Sequence, residues 1–206
     1  SGETVATPGL TERGRNVAVT ELNGTFYIAY NDDGGWLYFG KKESGSWNLK
    51  RVSSVPEAYV RDIEAYSDTN NTYIHISYDV GGSANVVTST NGGQTFSYST
   101  PIERGGNAGR THIAVDPLEG TVYAVYHRHS GYWDYNFAYS NNHARSFTVR
   151  KDFTGQYDSS STGYDGKIQA SEGILATVYR DNNDSYSIKV GVSTDAGRSW
   201  SFSKIV

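Results

Sequence analysis

Apolar and polar positions alternate along this chain in short runs, each bounded by Gly, Asn, Asp or Ser, and no stretch holds the 3.6-residue period of an amphipathic helix. The runs recur in a fixed order. A basic residue is followed by a short strand, a turn, a strand ending in Tyr, a polar loop and a third strand. In the first unit this reads Arg15, then 16–19, 26–30 and 36–39; in the second Arg61, then 63–66, 73–78 and 85–88. The third unit runs Arg110, 112–115, 122–126 and 135–139, and the fourth Lys167, 168–170, 175–179 and 187–192. A last strand closes each unit, as in 46–52 or 200–205. Four strands per unit of ~50 residues predict an all-β fold of four four-stranded antiparallel blades, a β-propeller or part of a larger one. The whole of 1–206 reads as one propeller domain, with repeats near 9–52, 53–100, 101–151 and 152–206.

The third and fourth strands of a unit are joined by a recurring octapeptide. Ser89-Thr-Asn91-Gly-Gly93-Gln-Thr-Phe96, Ser140-Asn-Asn142-His-Ala-Arg-Ser-Phe147 and Ser193-Thr-Asp195-Ala-Gly197-Arg-Ser-Trp200 align, and a worn copy ends in Ser46-Trp47. Asn or Asp at the third position can accept bonds from nearby backbone N–H groups. Gly at the fifth supplies a positive φ, and the closing aromatic drops into a core. These octapeptides, one complete copy at Ser193–Trp200 and two close variants, resemble the Asp-box, or bacterial neuraminidase, repeats of sialidase-like β-propellers. That resemblance implies hairpins that are structural and lie on the face away from an active site.

Composition agrees with strands. Valine and isoleucine, at 17 and 10, outnumber the six leucines, and 17 tyrosines suit half-buried pleated surfaces. A net charge of -4 leaves no positive excess for a phosphate backbone, so no nucleic-acid partner is expected. No apolar run reaches the ~18 residues of a membrane span. With no cysteine there is neither a disulfide framework nor a thiolate site.

Candidate chemistry falls on the face opposite the octapeptides, where second strands meet third strands. Arg15, Arg61, Arg110 and Lys167 recur where an innermost strand begins, placing four cations at the mouth of a central axis. They suit a carboxylate or other anion, and the competing reading has them paired with Asp62, Asp116 and Asp165 to tie blades together. Trp36, Tyr132 and Trp133 stand beside polar loop residues, as sugar-stacking aromatics do. His127 and His129 suggest acid/base work or polar contacts on one loop, whereas His75 and His112 read as strand residues. The runs 31–33 and 180–184 carry oxygen ligands suited to calcium without the periodicity of a calcium loop. No cofactor is expected, calcium being the one weak candidate, and sequons at Asn23, Asn70 and Asn183 carry little weight.

The leading expectation is a secreted or cell-surface propeller that binds a glycan or another polar, anionic ligand on this loop face. The alternatives are a sialidase-like glycoside hydrolase, a propeller polysaccharide lyase or a fragment of either, and a structural or protein-binding module. The resemblance implies a six-bladed enzyme opened by a Phe/Tyr-Arg-Ile-Pro motif. Here Arg15 is preceded by Gly9-Leu-Thr-Glu-Arg-Gly14, and only four units are present. Segment 3–7 reads as one outer strand too many, predicting a compact four-bladed ring in which it pairs beside the last blade.

Overall fold

The computed structural model describes residues 15–52, 58–129, 133–150, 153, 164–182 and 184–206. Among them are sixteen strands and no helix. Blade 1 comprises β1 (Arg15–Leu22), β2 (Thr25–Asn31), β3 (Leu37–Glu43) and β4 (Ser46–Arg51); blade 2 comprises β5 (Tyr59–Ser67), β6 (Thr72–Val80), β7 (Ser83–Ser89) and β8 (Tyr98–Glu103). Blade 3 follows with β9 (Gly109–Val115), β10 (Val122–His129), β11 (Trp133–Ser140) and β12 (Thr148–Arg150). Blade 4 ends the chain with β13 (Tyr164–Ser171), β14 (Ile174–Asp181), β15 (Ser187–Ser193) and β16 (Ser201–Lys204). Each blade is an antiparallel meander in sequence order. Pro101 is accommodated in β8 because that strand is the outer edge of its sheet, where a missing N–H breaks no ladder.

Three separate apolar clusters hold the blades together, one at each successive interface. Tyr27, Ala29, Leu37 and Phe39 of blade 1 pack on Ile63, Ile74 and Ile76 of blade 2. Ala84 and Val86 meet Ile113, Ala124 and Tyr126, and Tyr123, Val125, Tyr135 and Phe137 meet Ile168, Leu175 and Tyr179. The central strands pack in series, β1 on β5, β5 on β9 and β9 on β13. Burial follows from this order. The second strand of blade 2 is buried on both faces from Tyr73 to Asp79, whereas β14 alternates exposed and buried through Val178 because blade 4 has a neighbour on one side. Among the described residues the expected closed ring is not formed: β13 does not pack on β1 as the inner strands do on one another, and apolar side chains on the outward faces of blades 1 and 4, Val19, Phe26, Ile174 and Val178, are exposed. Segment 3–7, expected to complete the closure, lies outside the described residues.

The three octapeptide hairpins share one hydrogen-bond plan. The first Ser hydroxyl donates to the Asn or Asp side chain and accepts from the fifth residue's N–H: Ser89 from Gly93 (2.9 Å), Ser140 from Ala144 (2.9 Å) and Ser193 from Gly197 (2.8 Å). The side-chain oxygen of Asn91, Asn142 or Asp195 then accepts from the seventh residue's N–H at 2.8–3.0 Å. The worn copy in blade 1 is a plain two-residue turn, with Ser44 and Gly45 both at positive φ and Glu43 paired to Ser46. Ser193 is buried, so Ser193→Ala should strand the Gly197 N–H and cost ~1–3 kcal/mol in equilibrium denaturation. Asp195 differs from its two Asn counterparts in charge. The hydrogen bonds from Ser199 hold its carboxyl down at about 2, so the stability it adds is present above the usual carboxylate range and is lost as pH falls toward 2.

Each hairpin also presents backbone carbonyls to the preceding blade. Lys50 donates to the carbonyl of Gln94, the Tyr98 hydroxyl to that of His143 (2.7 Å), and Arg150 to those of Gly197 and Arg198 (both 2.7 Å). The octapeptides thus serve packing between blades.

Candidate functional site

Each innermost strand opens on a one-residue irregularity against its second strand, between Arg15 and Val17, Val60 and Asp62, Gly109 and His112, and Tyr164 and Lys167. A bulge of this kind re-aims the side chains beside it. After the bulge, Ala18 pairs with Ala29, Asp62 with Ser77, His112 with Val125 and Lys167 with Val178, so these four hold the same register place in successive blades.

Three of the four meet. The Asp62 carboxylate lies 3.1 Å from His112 Nδ1, and the Lys167 ammonium lies 2.7 Å from the same nitrogen and 3.8 Å from Asp62. One ring nitrogen thus faces an acceptor and a donor. A protonated Nδ1 donates to Asp62, and a bare Nδ1 accepts from Lys167, so the position of one proton decides which neighbour holds the imidazole. Asp62 also accepts from the N–H groups of Ile63 and Ile113, which fix it between blades 2 and 3.

Two residues further along β5, Glu64 shares a face with Asp62. Burial, reinforced by the Asp62 charge and opposed by Lys167, pushes its carboxyl up to about 8 from an ordinary value of 4.5. Glu64 is therefore protonated at neutral pH. Its folded-state value lies above its unfolded one, so the stability linked to it is full below pH 4.5 and is lost as pH rises through 8. Glu64→Gln should flatten the decline of melting temperature across that window, measured against wild type from acid to mildly alkaline pH. Equal slopes for the two proteins would refute the assignment.

The latch beside this cluster is Asp79, buried at the end of β6. Its Oδ2 accepts from Arg61 Nε (2.5 Å) and from the Arg110 backbone N–H (2.7 Å), and its Oδ1 from the Thr111 hydroxyl (2.9 Å). Arg110 reaches this place at a positive φ of 53°. Asn31 does the same work one interface earlier, donating to the Ala58 carbonyl and accepting from the Val60 N–H at 2.7 Å. Between blades 1 and 2 a cleft of about 220 Å³ opens, lined by Asn16, Asn31, Asp32, Asp33, Gly34, Gly35, Ala58 and Tyr59. The Tyr59 ring is half exposed, with the Arg61 guanidinium 5.7 Å from its centre.

The residues singled out from sequence are distributed differently from expectation. Arg61 binds Asp79 through its guanidinium and Arg110 through its backbone N–H, Lys167 joins His112, and Arg15 begins β1, its side chain outside the described residues. Trp36 stacks under the Arg51 guanidinium at 3.3 Å. His127 is completely buried at the end of β10, edge-on to Tyr135, rather than on a loop, which removes it from direct ligand contact; His129, at the same strand's end, is partly buried. Tyr132 lies outside the described residues, as does the side chain of Trp133 at the start of β11. Sequence reasoning passed over His112, Glu64 and Tyr59, which look like ordinary strand positions until the bulge sets their register. Of the residues weighed for calcium, Asp32 accepts from the Trp36 N–H, Asp181 pairs with Lys189 (2.6 Å) and Asp184 with Lys204 (3.1 Å). No group of three or more His, Asp or Glu among the described residues is arranged to hold a metal.

No protein-family model matches the chain, and no curated protein matches it in sequence. Solved structures do resemble it. A Dyadobacter fermentans protein of unknown function superposes with a TM-score of 0.67 at 12% identity, over 94% of this chain and 69% of that one. A Trypanosoma rangeli sialidase in complex with the inhibitor DANA gives 0.60 at 12% identity over 93% of this chain, which spans only 38% of the sialidase. A Xanthomonas citri GH43_1 enzyme complexed with xylose gives 0.57 at 9% identity, over 95% and 74%. At these identities the likeness is one of fold, and the fold is that of a β-propeller.

Proposed function

We propose that this chain binds carbohydrate at the loop-face mouth of its central channel, in a secreted or cell-surface setting. The observation that carries the reading is the meeting of Asp62, His112 and Lys167 from three adjacent blades, on the same strand β5 whose first residue, the half-exposed Tyr59, walls a small polar cleft. Sugars need this pairing of an aromatic face with converging donors and acceptors, because their C–H faces stack while their hydroxyls bond. A xylose complex of one structural neighbour supports a glycan ligand by analogy. A glycan array is the test. Tyr59→Ala should weaken any binding by ~5- to 10-fold, about 1 kcal/mol, and His112→Ala should weaken it further. An array without ligands, or binding indifferent to both changes, would sink the proposal.

Hydrolysis is a second reading, favoured by one feature. Glu64, its carboxyl pushed up to about 8 by burial, lies two residues from Asp62 on one face of β5, and a carboxylic acid beside a second carboxyl is what acid-assisted glycosidic cleavage requires. A panel of fluorogenic glycosides distinguishes it: turnover abolished by Glu64→Gln, with binding retained, would make this propeller an enzyme.

A further inference from the structure

Four hairpins of this chain close with two-residue turns whose central residues both take positive φ, Asn23-Gly24, Ser44-Gly45, Gly81-Gly82 and Glu172-Gly173, and in each the second is glycine. Glycine suits that place because a Cβ in the left-handed conformation crowds the following carbonyl. A further turn of this kind lies between β14 and β15, on the face opposite the octapeptides. There the Ser187 N–H donates to the Asp184 carbonyl at 2.9 Å, and between them Ser185 and Tyr186 stand at φ of 52° and 62°. A tyrosine fills the glycine place.

The Tyr186 ring is 67% exposed, the most open aromatic among the described residues, so burial does not offset its left-handed backbone. The turn is nevertheless held firmly. Asp184 accepts from the Ser187 hydroxyl and from Lys204, both at 3.1 Å, and Lys189 lies 3.8 Å from Asp184 and 2.6 Å from the buried Asp181. The Arg180 guanidinium stands 5.5 Å from the centre of the Tyr186 ring. A residue that its surroundings strain and fix, yet leave in water, has the marks of a recognition element.

We propose that Tyr186 is a second stacking platform for carbohydrate, an outer subsite on the face that holds the channel mouth, and that the ligand is an oligosaccharide. The proposal rests on the reading of that mouth as a glycan site. A tyrosine ring has two side-chain torsions to fix and offers a flat face to sugar C–H groups. Lys167, Val178 and Val190 form one row across blade 4, and Tyr186 lies four residues beyond Val190 toward the loops, ~10 Å or more at the rise of a strand. One sugar ring does not reach from the Lys167 row to Tyr186, whereas a chain of rings does.

An array of mono- to hexasaccharides, read beside thermal denaturation, tests this. Tyr186→Gly restores the residue that the turn prefers, so it should melt ~1–3 °C above wild type. Its oligosaccharide signals should nevertheless fall ~5- to 10-fold, with monosaccharide signals unchanged. Tyr186→Phe keeps the ring and should bind within about twofold of wild type. A lower melting temperature for Tyr186→Gly would show that packing offsets the strain, and would overturn the inference whatever binds. Oligosaccharide signals kept by Tyr186→Gly but lost by His112→Ala would overturn it and leave the channel mouth standing. Signals lost by Tyr186→Gly but indifferent to His112→Ala would uphold the platform and sink the mouth, and an array without signals would overturn both.

Discussion

Gly197→Ala is expected to destabilise the protein by ~3 kcal/mol, the joint result of a left-handed backbone and a collision. Gly197 sits at a φ of 83°, and a methyl placed there would lie 2.5 Å from Cζ of Phe137 in the preceding blade. Blade 3 shows how the same hairpin tolerates the methyl. Its fifth residue is Ala144, at a φ of 62°, and the place that Phe137 holds in blade 3 is held in blade 2 by the smaller Val86 of Ala144's own cluster. Phe137→Val should therefore recover the steric share, giving a coupling of ~1 kcal/mol or more in a double-mutant cycle. Gly173, at a φ of 76° with open space around it, isolates the backbone share, and its Ala variant should cost about 1 kcal/mol. Strictly additive penalties for Gly197→Ala and Phe137→Val would refute the account.

Asp79→Ala should be as costly, ~3–5 kcal/mol, because it leaves the Arg61 guanidinium, the Arg110 N–H and the Thr111 hydroxyl facing an apolar void between blades 2 and 3. Arg61→Ala removes one of these donors from a side chain that is partly in water, and about 1 kcal/mol is the expected loss. Urea denaturation of the two variants measures the contrast. If Asp79→Ala unfolds within 1 kcal/mol of wild type, the latch is not what joins these blades.

The four blades were legible because hairpin chemistry is local. A Ser, an Asn or Asp two residues on and a closing aromatic are sufficient to make the turn, and their spacing carried the repeat. The mouth of the channel was less legible. Counting residues aligns Arg61 with Arg110, yet the bulges move the register so that Asp62, His112 and Lys167 correspond. The cation at 61 and the backbone N–H of Arg110 then fall to one shared carboxylate, and a histidine that reads as an interior strand residue comes to the site. The open ring could not be read at all. Strand alternation looks the same whether the second face meets another blade or water, so Val19 and Ile63 are indistinguishable until their neighbours are known.

Because the apolar clusters lie at the interfaces and are not shared, the molecule is a row of four units coupled only to their neighbours. Blades 2 and 3 are held from both sides, blades 1 and 4 from one. Opening should therefore begin at the ends, and native-state hydrogen exchange in β14 and β15 should precede that in β6 and β10. Lys167 travels with blade 4. Each time that blade loosens, the ammonium leaves and the Asp62 and His112 pair stays behind on the two slowest units, so the charge at the channel mouth is set by how often an outer blade lets go.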